Sequence, residues 1–170
     1  MGQTSHLYNG REDVNYNFRL NGHPYFDGRD FKTGSVLYDG EVYENISLMY
    51  NLLSQELITK HYGGYIKIQL TKGKVKSFTI AGHSFVNISL ANDKKGVPIL
   101  QYYDLISDGN TKFIIYRNKI IDELITSDSQ VRRDVLERNE LYILKNGNLE
   151  KIHSKNSVLN VLKDKKKEIQ

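Results

Sequence analysis

The sequence predicts a mainly β protein: an antiparallel meander, forming an open or partly closed barrel-like sheet, with a C-terminal α-helix. Three observations predict it. Short runs of β-branched and aromatic residues recur from Gly34 to Leu90, Asx-Gly and Gly-Gly pairs separate them, and one amphipathic, lysine-rich stretch closes the chain. Such pairs supply the positive φ angles that two-residue hairpin turns need. Between turns, Tyr65, Lys67 and Gln69 alternate with Ile66, Ile68 and Leu70, the period of a half-buried strand.

Residues 1–33 read as an irregular N-terminal arm, punctuated by Asn9-Gly10, Asn21-Gly22 and Asp27-Gly28. Its apolar anchors on the sheet are expected to be Tyr16, Phe18, Tyr25, Phe26 and Phe31. Residues 34–170 are expected to form a single β-rich domain. Ser35–Tyr38 leads through Asp39-Gly40 into Glu41–Tyr43, and Ile46–Asn51 through Leu52–Gln55 into Glu56–His61. Gly63-Gly64 opens Tyr65–Leu70, and Thr71–Lys74 turns into Val75–Ile80. Each of these strands is expected to pair with the next.

Ala81-Gly82-His83 bends into Ser84–Leu90, and Ala91–Pro98, with Asp93, Lys94 and Lys95, reads as a polar loop. Ile99–Ile106 and Thr111–Arg117 form a hairpin around residues 107–110. Lys119–Thr126 fits helical spacing as well as an extended run, and Gln130–Arg138 is equally open. Leu141–Leu144 and Leu149–Ile152 form a last hairpin about Asn146-Gly147. A helix is expected at about 157–168, capped by Asn156 or Ser157. Its stripe of Val158, Leu159, Val161, Leu162 and Ile169 should dock on the sheet. Lys163, Lys165, Lys166 and Lys167 lie toward water and the helix C-terminus, where the dipole favours cations.

A chain of 170 residues suits one domain. Its 12 Tyr and absent Trp suit sheets with amphipathic faces, because a Tyr ring packs while its hydroxyl stays wet. With no Cys, disulfide scaffolds, thiolate zinc sites and Cys nucleophiles are excluded. The net charge of +4 resides in residues 145–170, where seven Lys face Glu150, Asp164 and Glu168. Peripheral contact with anionic membrane through this Lys cluster is therefore an expectation. Specific nucleic-acid binding is not expected, since no Arg cluster or aromatic stacking set accompanies the lysines. No run approaches the ~20 apolar residues of a membrane-spanning helix. Met1–His6 holds no apolar signal segment, His6 spoils a myristoylation site, and the natural mature chain is expected to begin near Gln3.

No catalytic constellation emerges. His6, His23, His61, His83 and His153 show none of the spacings that put two imidazoles on one face, so no metal or cofactor is expected. His61 and His83 sit near strand ends. His83 and Ser84 are adjacent and therefore point to opposite faces of a strand. Gly73-Lys74 lacks the P-loop frame, and Asp27, Asp30 and Asp39 lack the calcium-loop spacing. Asn45-Ile46-Ser47 and Asn87-Ile88-Ser89 match the glycosylation sequon within expected strands.

Several segments resemble a family of exported, uncharacterised β-rich proteins of the Bacteroidota. They are residues 22–26 (GHPYF), 34–40 (GSVLYDG), 43–46 (YENI), 48–51 (LMYN), 77–79 (SFT), 82–86 (GHSFV), 103–109 (YDLISDG), 141–147 (LYILKNG) and 158–167 (VLNVLKDKKK). The resemblance covers nearly the whole chain in order. It implies a β-rich fold, a signal peptide removed from the chain as it stands, and a periplasmic or cell-envelope location. It assigns no site residues. Within it, Gly82-His83-Ser84-Phe85 combines a polar tip with a bend.

The leading expectation is a non-enzymatic cell-envelope protein that binds a protein partner or a small apolar ligand through its sheet. An apolar ligand would need a dry pocket lined by Tyr and Leu, whereas a filled core would favour a protein partner. The alternative is an envelope hydrolase acting on glycans or peptides. It requires at least two of His23, His61, His83, Asp39, Glu41 and Glu44 to converge in a cleft.

Overall fold

In the computed structural model, which describes residues 7–13, 16, 18–61, 63–92 and 98–153, the chain folds into thirteen strands. They are β1 (Arg11–Glu12), β2 (Lys32–Tyr38), β3 (Glu41–Asn51), β4 (Glu56–Lys60), β5 (Lys67–Gln69), β6 (Val75–Ile80) and β7 (His83–Asn92). Then come β8 (Pro98–Ser107), β9 (Thr111–Tyr116), β10 (Lys119–Ile125), β11 (Val131–Glu137), β12 (Glu140–Lys145) and β13 (Asn148–Lys151). Eleven form one antiparallel sheet in the order β1-β5-β4-β3-β2-β6-β7-β8-β9-β12-β13, and β10 and β11 form a separate two-stranded arm. The helix expected at about 157–168, with Lys163, Lys165, Lys166 and Lys167, lies outside the described residues.

The hairpin turns follow their residues. Asp39-Gly40, Ala81-Gly82 and Asn146-Gly147 each place both residues at positive φ, the two-residue turn that matches strand twist. Glu41–Tyr43 and Ile46–Asn51, expected as separate strands, are one strand. The alternation slips between them because a bulge, with Asn45 at φ +55°, sets Glu44 and Asn45 against one residue of β2. Tyr43 and Tyr50 consequently share the core despite their odd spacing.

Strictly consecutive pairing fails at one joint. β5 does not pair with β6; after a 3-10 turn at Lys72–Lys74 the chain returns across the sheet, and β6 pairs with β2. Two meanders, β2 to β5 and β6 to β9, thus grow outward from a shared centre. Gly34 makes that centre close, since a Cβ there would sit 2.0 Å from the Thr79 carbonyl oxygen. The strand expected over Tyr65–Leu70 shortens to β5. Ile68 and Leu70 are buried as the alternation requires, but Ile66 is exposed.

The sheet curls strongly without closing: its edge strands β1 and β13 share no ladder. Tyr50 on β3 and Tyr102 on β8 are four strand positions apart, ~19 Å in a flat sheet, yet their ring centroids lie 5.7 Å apart. Phe78 and Phe85, stacked at 4.8 Å, fill the space between. The interior is therefore side chain, with Tyr38, Leu48, Leu57, Val75 and Ile80 around this ring cluster. The Leu52–Gln55 turn fastens the curl, because Gln55 Nε2 donates to the Arg117 carbonyl (2.9 Å) and Lys119 N–H to that of Leu52 (3.3 Å).

The N-terminal arm runs over this seam. Tyr25 bridges Asn51, Phe26 N–H donates to the Tyr50 carbonyl, and the Asn51 amide reaches the Tyr16 hydroxyl. Phe18 lies under the Arg133 guanidinium and Phe31 under the Lys60 ammonium. The two segments left open between helix and strand, within 119–138, form the β10–β11 hairpin. The loop expected at Ala91–Pro98 begins later, since β7 runs to Asn92, which pairs with Pro98; residues 93–97 lie outside the described residues.

Candidate functional site

Period-2 geometry assembles a polar cluster on one face of the curled sheet. The Ala81-Gly82 turn makes His83 the first residue of β7, two before Phe85 and on the same side. Asp104 on β8 lies directly opposite Phe85. Across β9, Asp104 faces Ile115, so Arg117, two residues on, emerges diagonally beside it.

Asp104 is 1% exposed. Its Oδ2 receives Arg117 Nε at 2.8 Å and an Arg117 terminal nitrogen at 2.6 Å, and lies 2.9 Å from His83 Nδ1. A carboxylate already held by a guanidinium is an acceptor, so His83 donates to it from Nδ1. Oδ1 is buried without a hydrogen-bond partner among the described residues. Phe26, delivered by the arm, sets its ring edge-on to His83 (5.1 Å) and Phe85 (5.2 Å), with the Arg117 guanidinium 5.8 Å from its centre.

Beside the cluster opens a depression of about 280 Å³ lined by Phe26, Leu52, His83, Arg117, Glu137 and Asn139, among others. Glu137 and Asn139 come from the end of β11 and the link to β12. The lining thus mixes one cation, the two carboxylates of Asp27 and Glu137, an amide, an imidazole and an aromatic ring.

The six residues a hydrolase was expected to use are dispersed. His83 has no hydrogen bond or ion pair to any of the others; its carboxylate is Asp104. His61 directly follows β4, its ring 5.4 Å from Tyr8. His23 stacks near Tyr25, and burial, with Lys119 and Arg29 nearby, holds its pKa below the usual histidine value. Asp39 pairs with Lys74 at 2.7 Å, Glu41 accepts from the Tyr43 hydroxyl, and Glu44 is exposed. No group of three or more His, Asp or Glu side chains among the described residues could hold a metal ion.

Sequence reasoning pointed to Gly82-His83-Ser84-Phe85 but missed Asp104 and Arg117. A signal existed: Asp104 interrupts the apolar run Tyr102-Tyr103-Asp104-Leu105 inside a strand, where an unpaired carboxylate is too costly to bury. Arg117 carried none, because strand ends commonly hold arginine. No protein-family model matches the chain, and comparison with curated proteins and with solved structures finds no match.

Proposed function

We propose that the protein is a non-enzymatic recognition protein whose depression beside His83 and Arg117 takes a small, uncharged, hydroxyl-rich ligand such as a sugar. The observation that carries this reading is the single buried carboxylate, Asp104, that orients both side chains at the depression. Preorganised donors and acceptors beside an aromatic ring suit hydroxyl groups, which need both. A charged ligand is disfavoured, since Arg117 is already paired with Asp104, Asp27 is paired with Lys32, and the remaining carboxylate of the lining, Glu137, repels an anion. An apolar ligand inside the sheet is disfavoured because aromatic rings fill that interior. Export and an envelope location belong to the same proposal and rest on the resemblance alone.

The hydrolase alternative has one supporting observation: an imidazole oriented by a buried carboxylate is also how a general base is held. Water would have to be the nucleophile, because Ser84 is exposed on the opposite side of β7.

Titration of 15N-labelled protein with glucose and N-acetylglucosamine, with acetate and spermidine as charged controls, tests the binding reading. Amide shifts at Ala81, His83 and Asn139 with the sugars alone, weakened by Asn139→Ala, are expected. Absence of these shifts at saturating sugar would contradict it. Turnover of nitrophenyl glycosides that disappears with His83→Ala would instead establish the hydrolase.

A further inference from the structure

The β10–β11 arm stands apart from the large sheet, and its two edges differ. β11 is already extended by the N-terminal arm: Asn21 donates to the Arg133 carbonyl at 2.8 Å and accepts from Val135 N–H at 3.0 Å. β10 has no strand on its outer side among the described residues. Thr126 N–H bonds inward to Gln130, while Lys119 N–H bonds outward to Leu52. Antiparallel ladders alternate between inward and outward pairs. The amides and carbonyls of Ile121, Glu123 and Ile125 consequently face the open edge.

That edge is apolar and acidic together. Ile120, Leu124, Ile125, Val131 and Leu136 are exposed, and Ile125 is 82% so. Asp122 and Asp134 are directly opposed, an unfavourable like-charge pair. Asp134 is compensated by Arg132 at 2.9 Å and by the Asn21 amide at 2.6 Å. Asp122 has no hydrogen bond or ion pair among the described residues. Between Lys119 and Glu137, three cations (Lys119, Arg132, Arg133) meet five carboxylates (Asp122, Glu123, Asp128, Asp134, Glu137), a net −2 on a chain of +4.

We propose that the free edge of β10 accepts, as a third strand, an extended segment of a partner protein in which a Lys or Arg lies between apolar residues. Its backbone pairs with Ile121, Glu123 and Ile125, its cation meets Asp122, and its apolar side chains cover Ile120 and Leu124. Strand addition gains affinity from main-chain hydrogen bonds and specificity from alternate side chains. A second copy is the poorer occupant, because full antiparallel overlap of β10 with itself, centred on Asp122, sets that carboxylate against its own copy. Exposed edges invite pairing of some kind, and the charge here selects which.

The probe is a seven-residue peptide of alternating valine and threonine with lysine at its centre, titrated into the labelled full chain. A glutamate-centred version serves as control. Shifts confined to Ile121, Glu123, Ile125 and their neighbours, with at least tenfold tighter binding of the lysine peptide, are expected. Asp122→Lys removes the opposed aspartates, so the arm should remain folded, and it should reverse the preference between peptides. Equal binding of both peptides, no binding, or an unchanged preference in Asp122→Lys would overturn the proposal. So would sedimentation showing a dimer that dissociates in Asp122→Lys, which would give the edge to a second copy.

Discussion

His83 Nδ1 and Asp104 Oδ2 lie 2.9 Å apart, although the two residues are 21 positions apart in sequence and on different strands. Arg117, the residue after β9, closes on the same oxygen. One buried carboxylate oxygen thus sets the orientation of an imidazole and a guanidinium on the wall of a single depression. The arrangement follows from strand periodicity: each residue lies two positions from, or directly across from, a neighbour already fixed in the ladder.

Breaking this cluster should be costly in a graded way. Arg117→Ala leaves Asp104 charged and buried, and should lower unfolding free energy by ~3–5 kcal/mol. His83→Ala removes one hydrogen bond from a carboxylate that keeps its guanidinium, and should cost ~1–2 kcal/mol. Urea denaturation measures both. Equal losses would mean that the ion pair is not buried as described.

Gly34→Ala should weaken the joint between the two meanders. The new methyl group would meet the Thr79 backbone oxygen at 2.0 Å, so β2 and β6 must separate. A loss of ~2 kcal/mol, typical of overpacking, should appear as a lower melting temperature. Gly40→Ala, in an open turn, should cost less.

Two core tyrosines should respond oppositely to loss of their hydroxyls. Tyr50 donates to Gln55 Oε1 at 2.5 Å, whereas the buried Tyr102 hydroxyl has no partner among the described residues. Tyr50→Phe should therefore cost ~1 kcal/mol, and Tyr102→Phe should be neutral or stabilising. Paired denaturation curves decide it.

Alkaline pH should unfold the protein through these same rings. Burial pushes Tyr50 and Tyr102 well above the ordinary tyrosine value of 10.0, and Tyr103 up to about 12. Burial and the neighbouring Glu140 carboxylate also raise Tyr142. Unfolded tyrosines shed protons near pH 10 while folded ones keep theirs, so stability is intact below pH 10 and falls above it. For Tyr103 the loss runs from about pH 10 to about 12. Tyrosinate absorbance followed with far-ultraviolet dichroism should show late ionisation coinciding with loss of the sheet.

The strands and turns were largely legible because Asp39-Gly40, Ala81-Gly82 and Asn146-Gly147 state their geometry locally. The bulge at Asn45 was legible only as a slip in alternation, which looked like two strands. The return of β6 to β2 was not legible: no residue between Gln69 and Val75 says which edge the next strand will join. The site shares that limit. His83 was marked by its bend, but its partners depend on strand order, and strand order depends on packing Tyr50, Phe78, Phe85 and Tyr102 in one curl.

The most direct test of the Asp104-centred site is the nitrogen spectrum of the His83 ring in 15N-histidine-labelled protein, assigned with His83→Gln, at a pH where imidazoles are neutral. The arrangement predicts that His83 carries its proton on Nδ1, with that proton shifted downfield by its hydrogen bond and lost from that position in Asp104→Ala. A His83 protonated on Nε2, with no such Nδ1 signal, would contradict it.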